Sequence, residues 1–406
     1  MIDLELERRA RMEAAFREHF AESVGTRVAR APGRVNLIGE HIDYNDLPVL
    51  PMALQRDVAL LFRPRADGVV RLANVDPSFG PRGFEVSTSI APSARGDWAN
   101  YPKAAAQALA RDLGLARGLD AVVSATLPAA AGLSSSAALV VASALALLAA
   151  NERELEPLAL AELCADAERY VGTRSGGMDQ AASLCGREEH ALRIEFAPLR
   201  VEPIAVPERW RFVIAHSLVR ADKSGAVRAA YNRRRAQCEE VLRRMAALPE
   251  LAPAPARWPE VLSRAPLGEL LELAEEVLDN VLLARFRHVA SEAQRVDRAC
   301  QALRRGSALA FGELMNASHA SLAADFEVSH PALDELAALA RSAGARGARL
   351  TGAGFGGSIV ALTEADHADA LVASLRETFY SKRAALPGLA EPLLIARASA
   401  GARIEP

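Results

Sequence analysis

The feature that most restricts how this chain can fold is a run of small residues opening onto its most apolar segment. Leu119 to Leu127 reads as a strand closed by Pro128. Ala129-Ala130-Ala131-Gly132-Leu133-Ser134-Ser135-Ser136 follows, and an apolar helix pattern then continues to Ala150. The segment Ala137 to Ala150 is about two-thirds of the roughly 20 residues a membrane span needs, and it is rich in alanine, so a buried helix explains it better. A glycine and three serines at the mouth of such a helix direct free backbone N–H groups and hydroxyls toward one point, as anion-binding helix N-termini do. Two readings stand. One is an ordinary serine N-cap, for which a single serine suffices; the other is a phosphate cradle, which the additional serines and the small residues behind them favour.

Other phosphate devices are excluded. Only Lys103, Lys223 and Lys382 occur and none follows a glycine, so there is no Walker-type loop. HExxH, G-x-S-x-G and protein-kinase catalytic-loop patterns are also missing. With 48 basic against 51 acidic residues, the formal charge of -3 offers no field to gather nucleic acid or an anionic membrane, and neither partner is expected. Four widely spaced cysteines, Cys164, Cys185, Cys238 and Cys300, form no metal-ligand spacing and fit a reducing cytoplasm. The first 20 residues alternate charged and apolar positions at helical spacing, reading as a surface helix and not as a secretion signal.

At 406 residues the chain has the length of two or three domains. Val28 to about Leu61 alternates short apolar runs with turn residues and reads as short strands and loops, and Glu156 to about Tyr170 as a helix. Pro198, Pro203 and Pro207 punctuate a polar stretch before a strand-like run at Arg211 to Ala215, which sets a boundary near 200 and divides the chain into 1–200 and 201–406. Ala226 to Leu248 and Leu267 to about Ala310 read as helices around a four-proline surface loop, Leu251 to Pro266. Ala348 to Thr363 reads as strand, glycine loop and strand, followed by a helix (Ala365 to Tyr380) and a strand (Pro392 to Ala396). The class is mixed α and β.

Three further constellations carry chemistry. Gly352-Ala353-Gly354-Phe355-Gly356-Gly357 satisfies G-x-G-x-x-G, but β-branched Ile359 and Val360 follow where a dinucleotide loop would open a helix. It reads either as a bare hairpin or as a backbone wall against a ligand held elsewhere. Pro32 to Asp46 gathers Glu40, His41 and Asp43, groups able to converge on a polyhydroxylated ligand; the alternative is a solvated turn with an Arg34–Glu40 ion pair. In Gly172 to Gln180, Asp179 stands behind small residues that can deliver a carboxylate into a cleft as a general base, unless it merely caps a helix over Gln180 to Leu184.

Taken together these segments resemble the galactokinase branch of the GHMP kinases. The likeness extends to Tyr231-Asn232-Arg233-Arg234-Arg235-Ala236-Gln237-Cys238-Glu239, His288-Val289-Ala290-Ser291-Glu292 and Met315-Asn316-Ala317-Ser318-His319. It implies an α+β, two-domain GHMP fold: an S5-like N-terminal domain, a ferredoxin-like layered C-terminal domain, and sugar and MgATP meeting in the cleft between them. By this likeness Asp179 takes the proton of the anomeric hydroxyl and Arg34 keeps the aspartate anionic. Glu40, His41, Asp43, Gly176 and Tyr231 hold the sugar hydroxyls. Gly132, Leu133, Ser134 and Ser135 wrap the phosphates, Ser136 and Glu168 match magnesium ligands, and Trp98 either borders the adenine or fills the core.

The implied activity is ATP-dependent phosphorylation of a sugar at C1, galactose first, by a monomer or weak homo-oligomer. Departures widen the choice of sugar. Ser175-Gly176-Gly177-Met178-Asp179-Gln180 resembles the form in N-acetylgalactosamine kinases, with a small residue at 177. Ile42 replaces the usual threonine, Leu47-Pro48 the usual glycine-containing turn, and Ser217 to Tyr231 is slightly long. Lys223 within it is either a solvated lysine or a cation favouring a uronic acid. A non-catalytic sugar and ATP sensor is the alternative of a different class, against which stand the intact serine motif, Arg34 and Asp179.

Overall fold

The computed structural model describes residues 2–128, 132–172, 176–220, 225–389 and 391–406. Among the described residues there are twelve strands: β1 (Arg27–Ile38), β2 (Leu50–Pro64), β3 (Val69–Asn74), β4 (Arg82–Glu85), β5 (Leu119–Ala125), β6 (His190–Glu195), β7 (Arg200–Ala205), β8 (Trp210–His216), β9 (Gly347–Thr351), β10 (Ser358–Glu364), β11 (Leu393–Ala396) and β12 (Arg403–Glu405). The helices before residue 200 are α1 (Ile2–Phe20), α2 (Asn100–Leu113), α3 (Ser135–Ala150), α4 (Pro157–Ala167) and α5 (Met178–Cys185). After it come α6 (Ala226–Met245), α7 (Trp258–Leu262), α8 (Leu267–Val277), α9 (Asn280–Arg304), α10 (Ala308–Ala324), α11 (Pro331–Ser342) and α12 (Ala368–Thr378).

Among the described residues two large sheets and a two-stranded one, β6-β7, organise these elements, and the α+β class holds. The first runs β12-β1-β2-β5-β3-β4 and is antiparallel except between β3 and β5. Its central strands are apolar on both faces because both are covered. Leu60, Phe62, Ala121 and Val123 point to the main core beneath α3, while Ala59, Leu61 and Val122, one residue out of phase, pack against Met12 and Phe16 of α1. The second sheet, β11-β8-β10-β9, is wholly antiparallel and carries α10, α11 and α12. The last strand does not stay with it: β12 pairs with β1 through Val28 and Glu405.

Several sequence expectations change. Val28 to Leu61 forms two long strands, not several short ones, and the proline-punctuated stretch contains a hairpin, β6 with β7. The region 251–266 is not a surface loop, since Leu251, Trp258 and Val261 are buried and Trp258-Pro259 opens α7, where a first-turn proline forfeits no helical hydrogen bond. The helix expected over Leu267 to Ala310 is broken twice. Asp279 caps α9 by accepting from the N–H groups of Val281 and Leu282, and Ser307 caps α10.

Candidate functional site

The site is built where β1, the turn after it that carries Glu40, His41 and Asp43 (here the signature turn), the mouth of α3, the start of α5 and the glycine loop between β9 and β10 converge. Arg34 leaves β1 beside a register shift between Pro32 and Arg34, which turns its side chain inward. Its Nε and Nη2 both lie 2.7 Å from Oδ1 of Asp179, and its Nη1 donates to the Gly132 carbonyl at 2.7 Å. Arg34 is 4 % exposed and Asp179 7 %. Burial opposes the arginine's charge, but Asp179, Glu40 and Asp43 outweigh it and hold the guanidinium above its usual range. An Arg34–Glu40 ion pair is not formed; Asp179 takes that place.

Asp179 is not a helix cap either. Gly177, at φ +98°, caps α5, and no side chain assists it. The Oδ2 of Asp179 instead accepts from Ser134 Oγ at 2.5 Å. Ser134 is the N-cap of α3 by position, but its backbone is left-handed (φ 58°, ψ 40°) and its hydroxyl makes no cap bond. For a non-glycine residue that conformation costs about 1–2 kcal/mol. Gly132, Ser135 and Ser136 are half-buried and Leu133 buried around the helix mouth; Ala129–Ala131 lie outside the described residues.

The signature turn is held by the opposite side of the molecule. Glu40, 2 % exposed, accepts from Asn36 Nδ2 at 2.6 Å and from the Gly352 N–H, and Arg349 lies 3.7 Å away. Gly39 donates to Glu292 Oε1 at 2.9 Å, and His288 Nε2–H donates to the Glu40 carbonyl at 3.1 Å. His41 gives its Nε2–H to the Ala353 carbonyl, so its Nδ1 accepts from Tyr44 Oη; burial first, then the positive neighbours, lower it to about 3 and keep it neutral. Tyr231, on α6, sits with its ring centroid 5.4 Å from that of His41.

Asp43 accepts from the Gly176 N–H at 3.1 Å. That approach needs glycine, because a Cβ on residue 176 would stand 2.3 Å from the Asp43 carbonyl carbon. Burial, followed by the charges of Asp179 and Glu40, raises Asp43 to about 6. The glycine loop is a tight connection of antiparallel strands pressed onto the site. A Cβ on Gly352 would meet the Gly132 carbonyl oxygen at 3.0 Å.

Glu168 is buried in a short 3-10 turn after α4, near enough to add its charge to that acting on Tyr231. Among the described residues no group of three or more His, Cys, Asp or Glu is arranged to hold a metal ion. Trp98 is buried in the main core, its indole N–H without an acceptor among the described residues. Thr173–Ser175 and Lys223 lie outside the described residues. Sequence reasoning missed the Ser134–Asp179 bond, because the direction of that hydroxyl depends on a left-handed backbone angle. It also gave no role to Glu292, His288 and Arg349, although His288 and Glu292 stand four apart on one face of α9.

The chain is similar to known proteins along most of its length. Residues 14–64 match the galactokinase galactose-binding signature, 100–187 the GHMP kinases N terminal domain and 299–381 the GHMP kinases C terminal domain. The galactokinase of Chloroflexus aurantiacus is 41 % identical over 365 residues, covering 89 % of this chain and 90 % of that protein. That of Bos taurus is 40 % identical over 392 residues, covering 93 % and 95 %. The crystal structure of Lactococcus lactis galactokinase complexed with galactose superposes with a TM-score of 0.84 at 29 % identity, over 96 % of this chain and 98 % of that one.

Proposed function

The chain belongs to the galactokinase family of the GHMP kinases, and from that premise we propose that it phosphorylates the C1 hydroxyl of galactose with ATP. The observation that carries the reading is the buried Asp179 held between Arg34 and the mouth of α3. Asp179 Oδ2 takes the C1 hydroxyl proton while the C1 oxygen attacks the γ-phosphorus, and Arg34 offsets charge on both partners. Asp43, His41, Glu40, Tyr231 and the Gly176 backbone orient the sugar. Gly132 to Ser136 supply N–H groups and hydroxyls to the phosphates, the role a P-loop lysine has elsewhere.

Ser136 and Glu168 suit Mg²⁺ as two hard oxygen donors, a number that matches an ion completed by phosphate oxygens and water. Bound there, the ion would neutralise phosphate charge. We place the enzyme in the cytoplasm on its unpaired cysteines; no helix among the described residues is long and apolar enough to cross a membrane.

The direct test measures ADP release with a panel of galactose, N-acetylgalactosamine and uronic acids. Galactose is expected to give the highest kcat/KM, and release no greater than without sugar would sink the assignment.

Two site predictions accompany it. Gly176→Ala drives a methyl into the backbone of Asp43 and Tyr44, and overpacking of about 1–3 kcal/mol raises the galactose KM about 10- to 100-fold with the ATP KM little changed. An unaltered galactose KM would show that this contact does not shape the sugar site. Asp43 titrates near 6, above its ordinary 3.8, so its proton binds more readily in the folded state and its ionisation opposes stability as pH rises through that window. A sugar hydroxyl donates more strongly to the ionised carboxylate than to the protonated acid. The galactose KM should therefore climb as pH falls below about 6, and Asp43→Asn should flatten that dependence; a flat wild-type profile would rule the acceptor role out.

A further inference from the structure

A serine hydroxyl carries one proton, so it donates one hydrogen bond at a time. Ser134 stands where two acceptors compete for that bond: Asp179 Oδ2, which holds it at 2.5 Å, and the phosphate oxygens expected at the mouth of α3. With both residues under 9 % exposed, water does not readily substitute for either partner. The left-handed backbone of Ser134 is what turns the side chain away from the helix N–H groups and toward the aspartate. Oδ1 is meanwhile committed to Arg34, which leaves Oδ2 as the oxygen that must receive the sugar proton.

We propose that Ser134 is a positioning residue that passes its hydrogen bond from Asp179 to the nucleotide phosphates, so that ATP binding frees the base for the sugar hydroxyl. This rests on Asp179 being the base. Without nucleotide, the serine holds one of the two acceptor positions of Oδ2 and weakens that oxygen as an acceptor for the C1 hydroxyl. With nucleotide, the serine proton turns to a phosphate oxygen and Oδ2 accepts the C1 hydroxyl. In the reaction the C1 oxygen–phosphorus bond forms, the bond from the γ-phosphorus to the bridging oxygen breaks, ADP carries off the electron pair, and the proton rests on Asp179 until solvent takes it. Sugar and nucleotide affinities are therefore linked through one hydroxyl, and the linkage is reciprocal.

Calorimetry of galactose binding with and without a non-hydrolysable ATP analogue, magnesium present, reads this directly. In the wild type the analogue should tighten galactose about tenfold, the worth of one hydrogen bond to a charged group. Ser134→Gly removes the hydroxyl and suits the left-handed backbone. In that variant galactose should bind as tightly without nucleotide as the wild type does with it, and the analogue should add nothing. A merely structural serine would weaken sugar binding in both states. Either that result or an undiminished linkage in Ser134→Gly overturns the proposal, and Ser134→Ala repeats the measurement if the glycine variant fails to fold. Should Asp179→Asn keep its turnover, the base assignment falls; should Asp179→Asn be inactive and the linkage persist without the hydroxyl, only the transfer by Ser134 falls.

Discussion

Asp179→Asn is expected to bind galactose and to turn over about 10³- to 10⁴-fold more slowly than the wild type. The substitution keeps the shape of the side chain and removes the one property that the reaction needs, an oxygen able to take a proton at neutral pH. Arg34 would still find a carbonyl oxygen at position 179, so the guanidinium keeps a partner there as well as its bond to the Gly132 carbonyl. The amide nitrogen would face Ser134, whose hydroxyl can turn to accept from it. Sugar affinity measured without nucleotide should accordingly change little, because Asp43, His41 and the Gly176 backbone are untouched. Rates from a coupled ADP assay and calorimetric galactose affinity on the same preparation settle the matter. Turnover within about tenfold of the wild type would remove Asp179 as the base.

Much of this geometry is legible in the sequence, and the rest is hidden for identifiable reasons. The passage from β5 through a glycine and three serines into α3 is plain, because closure of the strand by Pro128, small residues and uninterrupted apolar periodicity all agree. The first sheet was harder. A strand buried on both faces loses the alternation that reveals its neighbours, so Val58 to Phe62 reads as apolar without disclosing that α1 and α3 lie on opposite sides.

Turn chemistry misled at Leu251 to Pro266, where two of four prolines stand at helix starts, Pro259 in the first turn of α7 and Pro266 at the cap of α8. Periodicity misled at Leu278, where the apolar spacing continues across a break made by the Asp279 cap. In the site, the family resemblance paired Arg34 with Asp179, and the structure shows that pairing. Residue chemistry alone had named only Glu40 as a partner for Arg34, and the choice between two carboxylates 139 positions apart depends on tertiary placement. The same holds for the clamp of Glu292, His288 and Arg349 on the signature turn, since contacts between segments about 250 and more residues apart leave no local pattern.

Arg34→Met is expected to abolish activity and to lower stability by about 3–5 kcal/mol, the cost of leaving a buried carboxylate without its partner. Two effects combine. The aspartate loses both guanidinium contacts at 2.7 Å, and the mouth of α3 loses the bond to the Gly132 carbonyl that fixes its distance from β1. A buried carboxylate deprived of its cation takes up a proton in preference to remaining an isolated anion, and a protonated Asp179 is no base. The sign of the pH dependence follows. In the variant the folded state holds a proton that the unfolded chain releases, so its stability falls as pH rises. The deficit in Tm against the wild type should therefore shrink as pH is lowered from about 8 to 5. A deficit that is constant across that range would place the damage in packing and not in the lost charge. Arg34→Lys separates charge from geometry: a single ammonium cannot reproduce the fork that spans Asp179 and Gly132. It should recover most of the stability at pH 8 while kcat stays about 10²-fold down, and recovery of full turnover by lysine would show that a point charge is all the base requires.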